Sequence, residues 1–286
     1  MIRHYLNIIR PINLVLTAFT QLLFYISASR SHSGLSNLEF QNIRLPEAIT
    51  SLFACLLIAA GGYIINDVFD IESDKINKPK RLIAGTHISQ KNLRIYYIIL
   101  TTLGIISGFV TGLGMGILCI AISLLLFFYS SDFKGEYLIG NLLVSLLAGM
   151  VVYISSRGVF LVEKAYFAEY SIIAFCVTYA RELVKDFEDQ EGDASVGHQT
   201  FALTRGLKPT KIFAWVNLIV SMIFLIVIGI YSRQIEFWLF SGLVVIPYSL
   251  WISWKLFHSK SKMDFTNISK HLKYLMFVGL FTSILC

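Results

Sequence analysis

The sequence predicts an all-α integral membrane protein of nine transmembrane helices, with its N-terminus in the cytoplasm. Three observations predict it. Of the 286 residues 56% are hydrophobic and only 15% charged, with a mean hydropathy of +0.67, whereas soluble domains run at roughly 45–50% apolar and about 25% charged. The apolar residues gather in runs of about 20, the length a helix needs to cross a hydrocarbon core of roughly 30 Å. The basic residues gather in alternate loops between those runs. Few residues are left over for a soluble unit, so residues 1–286 read as a single membrane domain.

The first span, 11–29, opens on "RPIN". Arg3 and Arg10 ahead of an apolar stretch and "SAS" also resemble a signal peptide. Nineteen residues is long for such a segment and a polar constellation opens it, so a retained helix is expected. The second span, 47–66, contains "SLFACLLIAAGGYII" and runs directly into "NDVFDIESD". The third and fourth, 93–110 and 112–130, must be separate helices. As one helix their residues would reach about 57 Å at about 1.5 Å each, far more than one crossing. "GFVTGLGMG" supplies the tight turn between them. The remaining spans are 137–156, 166–184, 210–231, 236–254 and 271–286.

Of the 24 Lys and Arg residues, 19 lie in the N-terminus, in the loops after spans two, four, six and eight, or within the adjoining turn of a span. The excess of basic residues on cytoplasmic loops therefore places these segments in the cytoplasm and the C-terminus outside. This distribution also accounts for the net charge of +6 without nucleic acid, for which no motif is visible. The four Cys show no CxxC pair and read as small buried hydrophobes. The six His show no zinc spacing, so no zinc site is expected.

The chemistry concentrates in two places. Asp67, Asp70 and Asp74 recur 119 residues later as Asp186, Asp189 and Asp193, and with their neighbours the two stretches hold 10 of the 18 acidic residues. Spacing i, i+3, i+7 puts three side chains within about 60° of one helical face. Each cluster starts near the C-terminal end of a span, where the helix dipole disfavours anions, so a cation is expected there. Carboxylates without Cys or His suit a hard ion, Mg²⁺ or Mn²⁺. Two such faces fit a clamp that holds a diphosphate through bridging metal. Lys75, Lys78, Lys80 and Arg81 follow the first cluster, Arg181 and Lys185 precede the second, and Lys134 lies in the loop between. Positive-inside topology alone explains some of these bases; Lys134, Arg181 and Lys185 stand out by their proximity to the acids or to a membrane edge. One DxxDxxxD could be a solvated loop. Its recurrence on the same side, after even-numbered spans, argues for a site and for a duplicated unit, spans 2–5 echoed in 6–9.

These features resemble the UbiA superfamily of intramembrane prenyltransferases. "NDVFDIESD" is similar to that family's NDxxDxxxD and "DFEDQEGD" to its DxxDxxxD; Arg10-Pro11, "NKPKR" and "YSSDFK" agree as well. The resemblance spans essentially the whole chain. Leu82 departs from it where Pro usually follows the loop Arg, and Ala202 departs where Thr-Leu-Pro is common. The resemblance implies nine helices around a central cavity capped by two cytoplasmic loops. It also implies Mg²⁺, two ions, held by Asp67, Asp70, Asp74, Asp186, Asp189 and Asp193, which bind a polyprenyl diphosphate. Ionisation of the allylic C–O bond then gives a carbocation that an acceptor captures. By position it assigns Lys134 a catalytic role beside the diphosphate, and makes Asn66, Arg81, Tyr129, Arg181 and Lys185 diphosphate partners. Arg10 and Asn13 would face the acceptor. Tyr63, Phe127 and Phe128 would be available for cation–π contact. The site would lie on the cytoplasmic side of the cell membrane, with no obligate protein partner.

Within the superfamily, "RPIN", "DKINKPKR" and "ARELVKDFEDQEGD" look most like members that attach geranylgeranyl to the free hydroxyl of geranylgeranylglyceryl phosphate, an ether lipid precursor. An aromatic acceptor such as 4-hydroxybenzoate is the alternative within the fold. A CDP-alcohol phosphotransferase would carry its acids in one compact motif rather than 119 residues apart. A cation transporter would place charges near the bilayer midplane, not at span ends.

Overall fold

The computed structural model describes residues 2–28, 43–77, 82–158 and 164–286. In chain order its helices are α1 (Ile2–Ile8), α2 (Pro11–Ala28), α3 (Leu45–Phe69), α4 (Ile71–Asn77), α5 (Gln90–Thr111), α6 (Leu113–Phe128) and α7 (Ile139–Ser155). There follow α8 (Lys164–Glu188), α9 (Gln190–Ser195), α10 (Phe201–Arg205), α11 (Leu207–Ser232), α12 (Ile235–Phe240), α13 (Ile246–His258) and α14 (Lys262–Leu280). A π-helical turn, Tyr129–Phe133, continues α6, and another, Ser241–Val245, joins α12 to α13. An isolated β-bridge pairs Ala84 with Ile88.

Seven helical segments are long and apolar enough to cross a bilayer: α2, α3, α5, α6 with its π-turn, α7, α11, and α12–α13 together. Helices α8 and α14 coincide with the sixth and ninth predicted spans but are more charged, with Arg181, Glu182 and Lys185 in one and Asp264, Lys270 and Lys273 in the other. Helix α14 also begins well before the predicted 271. Ser261 caps it, accepting the Asp264 N–H at 3.2 Å while the Asp264 carboxylate accepts the Ser261 N–H at 2.9 Å. A reciprocal cap of this kind starts a helix on polar residues, which a count of apolar residues passes over.

Helix α3 packs along α5, α7 along α8, and α8 also along α11 and α14. Small residues let the backbones approach. A Cβ on Gly104 of α5 would lie 2.7 Å from the Ile58 side chain and 3.2 Å from its backbone N. The predicted turn between α5 and α6 is a single residue, Gly112, at φ 151°, where a side chain would be strained. The largest core cluster joins α2, α7, α8, α11 and α14 through Phe24, Val152, Phe167, Leu183, Leu218 and Leu272, all buried. The outer surface is apolar too: Val110 is 70% and Leu243 73% exposed. Such a surface requires lipid rather than water around it.

Candidate active site

Each acidic motif straddles a helix break. Helix α3 ends at Phe69 and α4 starts at Ile71; α8 ends at Glu188 and α9 starts at Gln190. The residue at the break is the middle carboxylate, Asp70 at φ −82°, ψ 0° and Asp189 at φ −102°, ψ 2°. Both lie in the sparsely allowed bridge region, where active-site residues recur. Hydrogen bonding continues through the break. Asp70 N–H donates to Asn66 O at 2.9 Å and Asp74 N–H to Asp70 O at 2.8 Å; Asp189 N–H donates to Lys185 O and Asp193 N–H to Asp189 O, both at 3.0 Å. The break therefore tilts the chain without separating the helices. This corrects the expectation of one continuous face. It also relieves Asp74 and Asp193 of the dipole penalty, because they lie in the first turn of a second, short helix.

Asn77, the last residue of α4, clasps the two motifs. Its Nδ2 donates to Asp189 O at 3.0 Å and its Oδ1 accepts the Gly192 N–H at 3.0 Å. A Cβ on Gly192 would overlap the Asn77 carboxamide. Asn77→Ala leaves both α9 groups without this partner, at about 1 kcal/mol for each hydrogen bond. The expected outcome is a lower thermal midpoint for the detergent-solubilised protein, read by the loss of helical circular dichroism on heating.

Most of the carboxylates have identified partners within the chain. Arg10 Nη2 donates to Asp67 Oδ1 at 2.5 Å. Asp70, 6% exposed, accepts Asn66 Nδ2 at 2.5 Å and a hydrogen bond from Lys134 Nζ. Asn141 Nδ2 donates to Asp186 Oδ2 at 2.9 Å, and His198 Nδ1 lies 3.3 Å from Asp193 Oδ1. Glu182, buried one turn before the second motif, accepts Arg181 Nη1 at 2.8 Å and Lys185 Nζ at 2.7 Å. Lys134 follows the π-turn, donating its N–H to Tyr129 O at 2.9 Å. Burial works against its charge, but the adjacent Asp70 carboxylate more than offsets this and holds its pKa above the ordinary Lys value. The ammonium therefore stays protonated through neutral pH.

Both motifs open onto one cavity of about 1090 Å³. The six motif Asp, Asn66, Tyr129, Lys134, Arg181, Lys185, Arg10 and Asn13 all line it. Arg81, like Lys78 and Lys80, lies outside the described residues. Among the described residues no three His, Cys, Asp or Glu side chains are gathered closely enough to hold an ion by themselves. The six carboxylates share a cavity, not one coordination shell. Of the three predicted aromatics only Tyr63 reaches the cavity, and the Arg10 guanidinium lies 5.0 Å from its ring centroid. Phe127 packs on Phe69 and on Phe128, and Phe128 lies at the outer surface. Beyond the predicted set, Asn77, Asn141, Glu182 and Lys273 face the cavity. Lys273 had a visible signal: it is a charge inside the ninth predicted span.

A model of the UbiA prenyltransferase family matches residues 21–271. The digeranylgeranylglyceryl phosphate synthase of Methanothermobacter thermautotrophicus is 32% identical over 210 residues, covering 73% of this chain and 69% of that one. A solved structure from work on digeranylgeranylglyceryl phosphate synthase in membranes superposes with a TM-score of 0.76 at 24% identity, covering 99% and 97% of the two chains. A UbiA homologue from Archaeoglobus fulgidus bound to GPP and Mg²⁺ gives a TM-score of 0.68 at 16% identity, covering 98% and 99%. At these identities the structural likenesses speak to the fold.

Proposed function

The chain belongs to the UbiA prenyltransferase family, and from that premise we propose that it transfers a geranylgeranyl group from its diphosphate to the free hydroxyl of geranylgeranylglyceryl phosphate. The observation that carries the proposal is the meeting of both Asp motifs with Lys134, Arg181 and Lys185 in one cavity between apolar helices. Its volume of about 1090 Å³ stands at the upper end of ligand pockets, roughly 300–1,000 Å³, as two lipid substrates require. The name carried by the Methanothermobacter relative supports the choice of acceptor.

The donor set fits a hard divalent ion: oxygen ligands from two sides of a cavity, with no thiolate among them. Mg²⁺ commonly takes one or two protein carboxylates and completes its shell with water and substrate phosphates. Asp67, Asp70 and Asp74 on one side, and Asp186, Asp189 and Asp193 on the other, would hold two Mg²⁺ ions, or Mn²⁺. When bound, the metal neutralises diphosphate charge and eases its departure. Lys134, Arg181 and Lys185 hold the diphosphate oxygens, with Asn66, Tyr129 and Arg81 as further partners, where charge grows as the allylic C–O bond breaks. The bonding pair leaves with the diphosphate. A lone pair of the acceptor hydroxyl forms the new C–O bond, and the hydroxyl proton passes to the released diphosphate. The apolar walls keep water from the allylic cation, while Arg10 and Asn13 face the acceptor.

The same proposal includes nine spans, with α8 and α14 crossing alongside the seven more apolar segments, in a single domain of two repeated units. It also places the N-terminus and both motifs on the cytoplasmic side of the cell membrane, supported by the 19 of 24 basic residues in or within a turn of those segments. The matching bridge-region breaks at Asp70 and Asp189 support the repeat.

A transfer assay tests the reaction. Purified protein in detergent, with Mg²⁺ and radiolabelled geranylgeranyl diphosphate, is offered geranylgeranylglyceryl phosphate or, separately, aromatic acids. An EDTA-sensitive labelled ether lipid is the expected product. Label found only in an aromatic product would keep the mechanism and overturn the acceptor.

A further inference from the structure

The geometry points to a second anion subsite in the cavity, centred on Lys273, which takes the phosphate of the acceptor lipid; this rests on the lipid-phosphate acceptor proposed above. Lys273, on α14, lines the cavity, and its Nζ donates to Asn13 Oδ1 at 2.6 Å. An ammonium has three donors, and among the described residues Asn13 is the one hydrogen-bond partner of this group, which has no ion pair. The charges it faces are two more cations, Arg10 and Arg181. Each of those has an acid of its own: Arg10 is held by Asp67 at 2.5 Å and Arg181 by Glu182 at 2.8 Å. Lys273 has none. A lone ammonium facing two guanidiniums in a cavity between membrane helices is an expensive arrangement, and an anion drawn in from the cavity relieves it.

The anion this subsite suits is distinct from the diphosphate. The carboxylate motifs engage Lys134, Arg10 and, through Asn141, helix α7. Lys273 is reached by a different route, through the start of α2, where Arg10, just ahead of the helix, meets Asp67 and Asn13, in its first turn, meets Lys273. The acceptor anchor on Lys273 thus adjoins the donor site, since Lys273 faces Arg181, and the two are tied together by one short turn. That turn is rigid at its start. Arg10 sits at φ 53°, and its carbonyl accepts the Asn13 N–H at 2.8 Å and the Leu14 N–H at 3.3 Å. A phosphate monoester carries a charge of roughly −1.5 to −2 at neutral pH, against about −1 for an aromatic carboxylate. An unpaired ammonium next to a guanidinium favours the former, so Lys273 selects for a lipid phosphate over an aromatic acid.

The test compares wild type with Lys273→Met and Lys273→Gln, the second keeping a donor for Asn13, each checked for a wild-type thermal midpoint. Binding of labelled geranylgeranylglyceryl phosphate is measured by filtration in EDTA without prenyl donor, and KM for both substrates in the Mg²⁺-supported reaction. Loss of one charge-assisted hydrogen bond is expected to weaken acceptor binding about 10–100-fold and raise its KM similarly, with the KM for geranylgeranyl diphosphate within about twofold of wild type. Unchanged acceptor binding in both variants, while wild type makes the ether lipid, overturns the subsite alone. A raised KM for the diphosphate instead would assign Lys273 to the donor and also overturn it. Wild-type transfer only to an aromatic acid would remove both this inference and the acceptor on which it rests.

Discussion

Replacing Asp70 with Asn is expected to lower prenyl transfer about 10³-fold at saturating substrates. The side chain keeps its shape but loses its charge, at the residue where α3 gives way to α4. In the native chain the Asp70 carboxylate accepts from both Asn66 and Lys134. Both donors meet the same oxygen, Oδ2, so an amide can keep both hydrogen bonds but supplies neither the negative charge nor a second acceptor oxygen. Lys134, whose charge is sustained chiefly by Asp70 against burial, would lose that compensating charge, and the metal one anionic oxygen ligand. Removing a single preorganised electrostatic group costs roughly 10²–10³-fold, and the loss of charge opposite a divalent ion places the effect at the upper end. Asp189→Asn, at the equivalent break in the second motif, is expected to behave alike. Initial rates with labelled geranylgeranyl diphosphate over a Mg²⁺ titration provide the check. A loss under tenfold in either variant, at any Mg²⁺ concentration, would falsify the assignment of these two residues.

The parts of this molecule legible in its sequence are those that a local pattern encodes. Runs of apolar residues mark helices because the bilayer demands them, and "GFVTGLGMG" marked the turn at Gly112 because only glycine tolerates φ 151° cheaply. The paired Asp motifs announced a site because six acids at matched spacing are costly without a cation. The breaks at Asp70 and Asp189 were invisible, since nothing in "NDVFDIESD" distinguishes a continuous helix from one that tilts at its middle motif carboxylate. The Asn77 clasp was equally hidden: its partners lie 112 and 115 residues away, and one Asn in a polar loop resembles any other. Phe127 and Phe128 were misplaced for a related reason. Adjacent helical residues point about 100° apart, and sequence did not say which direction faced the cavity. Lys273 was legible and overlooked, a charge inside an apolar run whose partner, Asn13, is 260 residues away.

Glu182→Gln is expected to destabilise the protein by about 3–5 kcal/mol, the cost of removing one partner from a buried charge pair. Glu182 is 7% exposed and belongs to neither Asp motif, yet it receives Arg181 at 2.8 Å and Lys185 at 2.7 Å. Both cations are themselves mostly covered, so solvent screens the interaction weakly. A glutamine offers one carbonyl oxygen to two cations and turns its NH₂ toward one of them. Arg181, Lys185 and Lys273 would then share a cavity with less compensating charge, and repulsion among them adds to the loss. The expected result in detergent is a markedly lower thermal midpoint than wild type. The cause can be separated from simple packing damage by adding inorganic diphosphate with Mg²⁺. A ligand that binds only the folded state raises stability in proportion to its affinity, and a cavity with surplus positive charge binds the anion more tightly. The midpoint of Glu182→Gln should therefore rise more than that of wild type at equal diphosphate. Equal rises would show that Arg181 and Lys185 had found other partners, leaving Glu182 a packing residue; a wild-type midpoint without ligand would show that the buried pair contributes little to the fold.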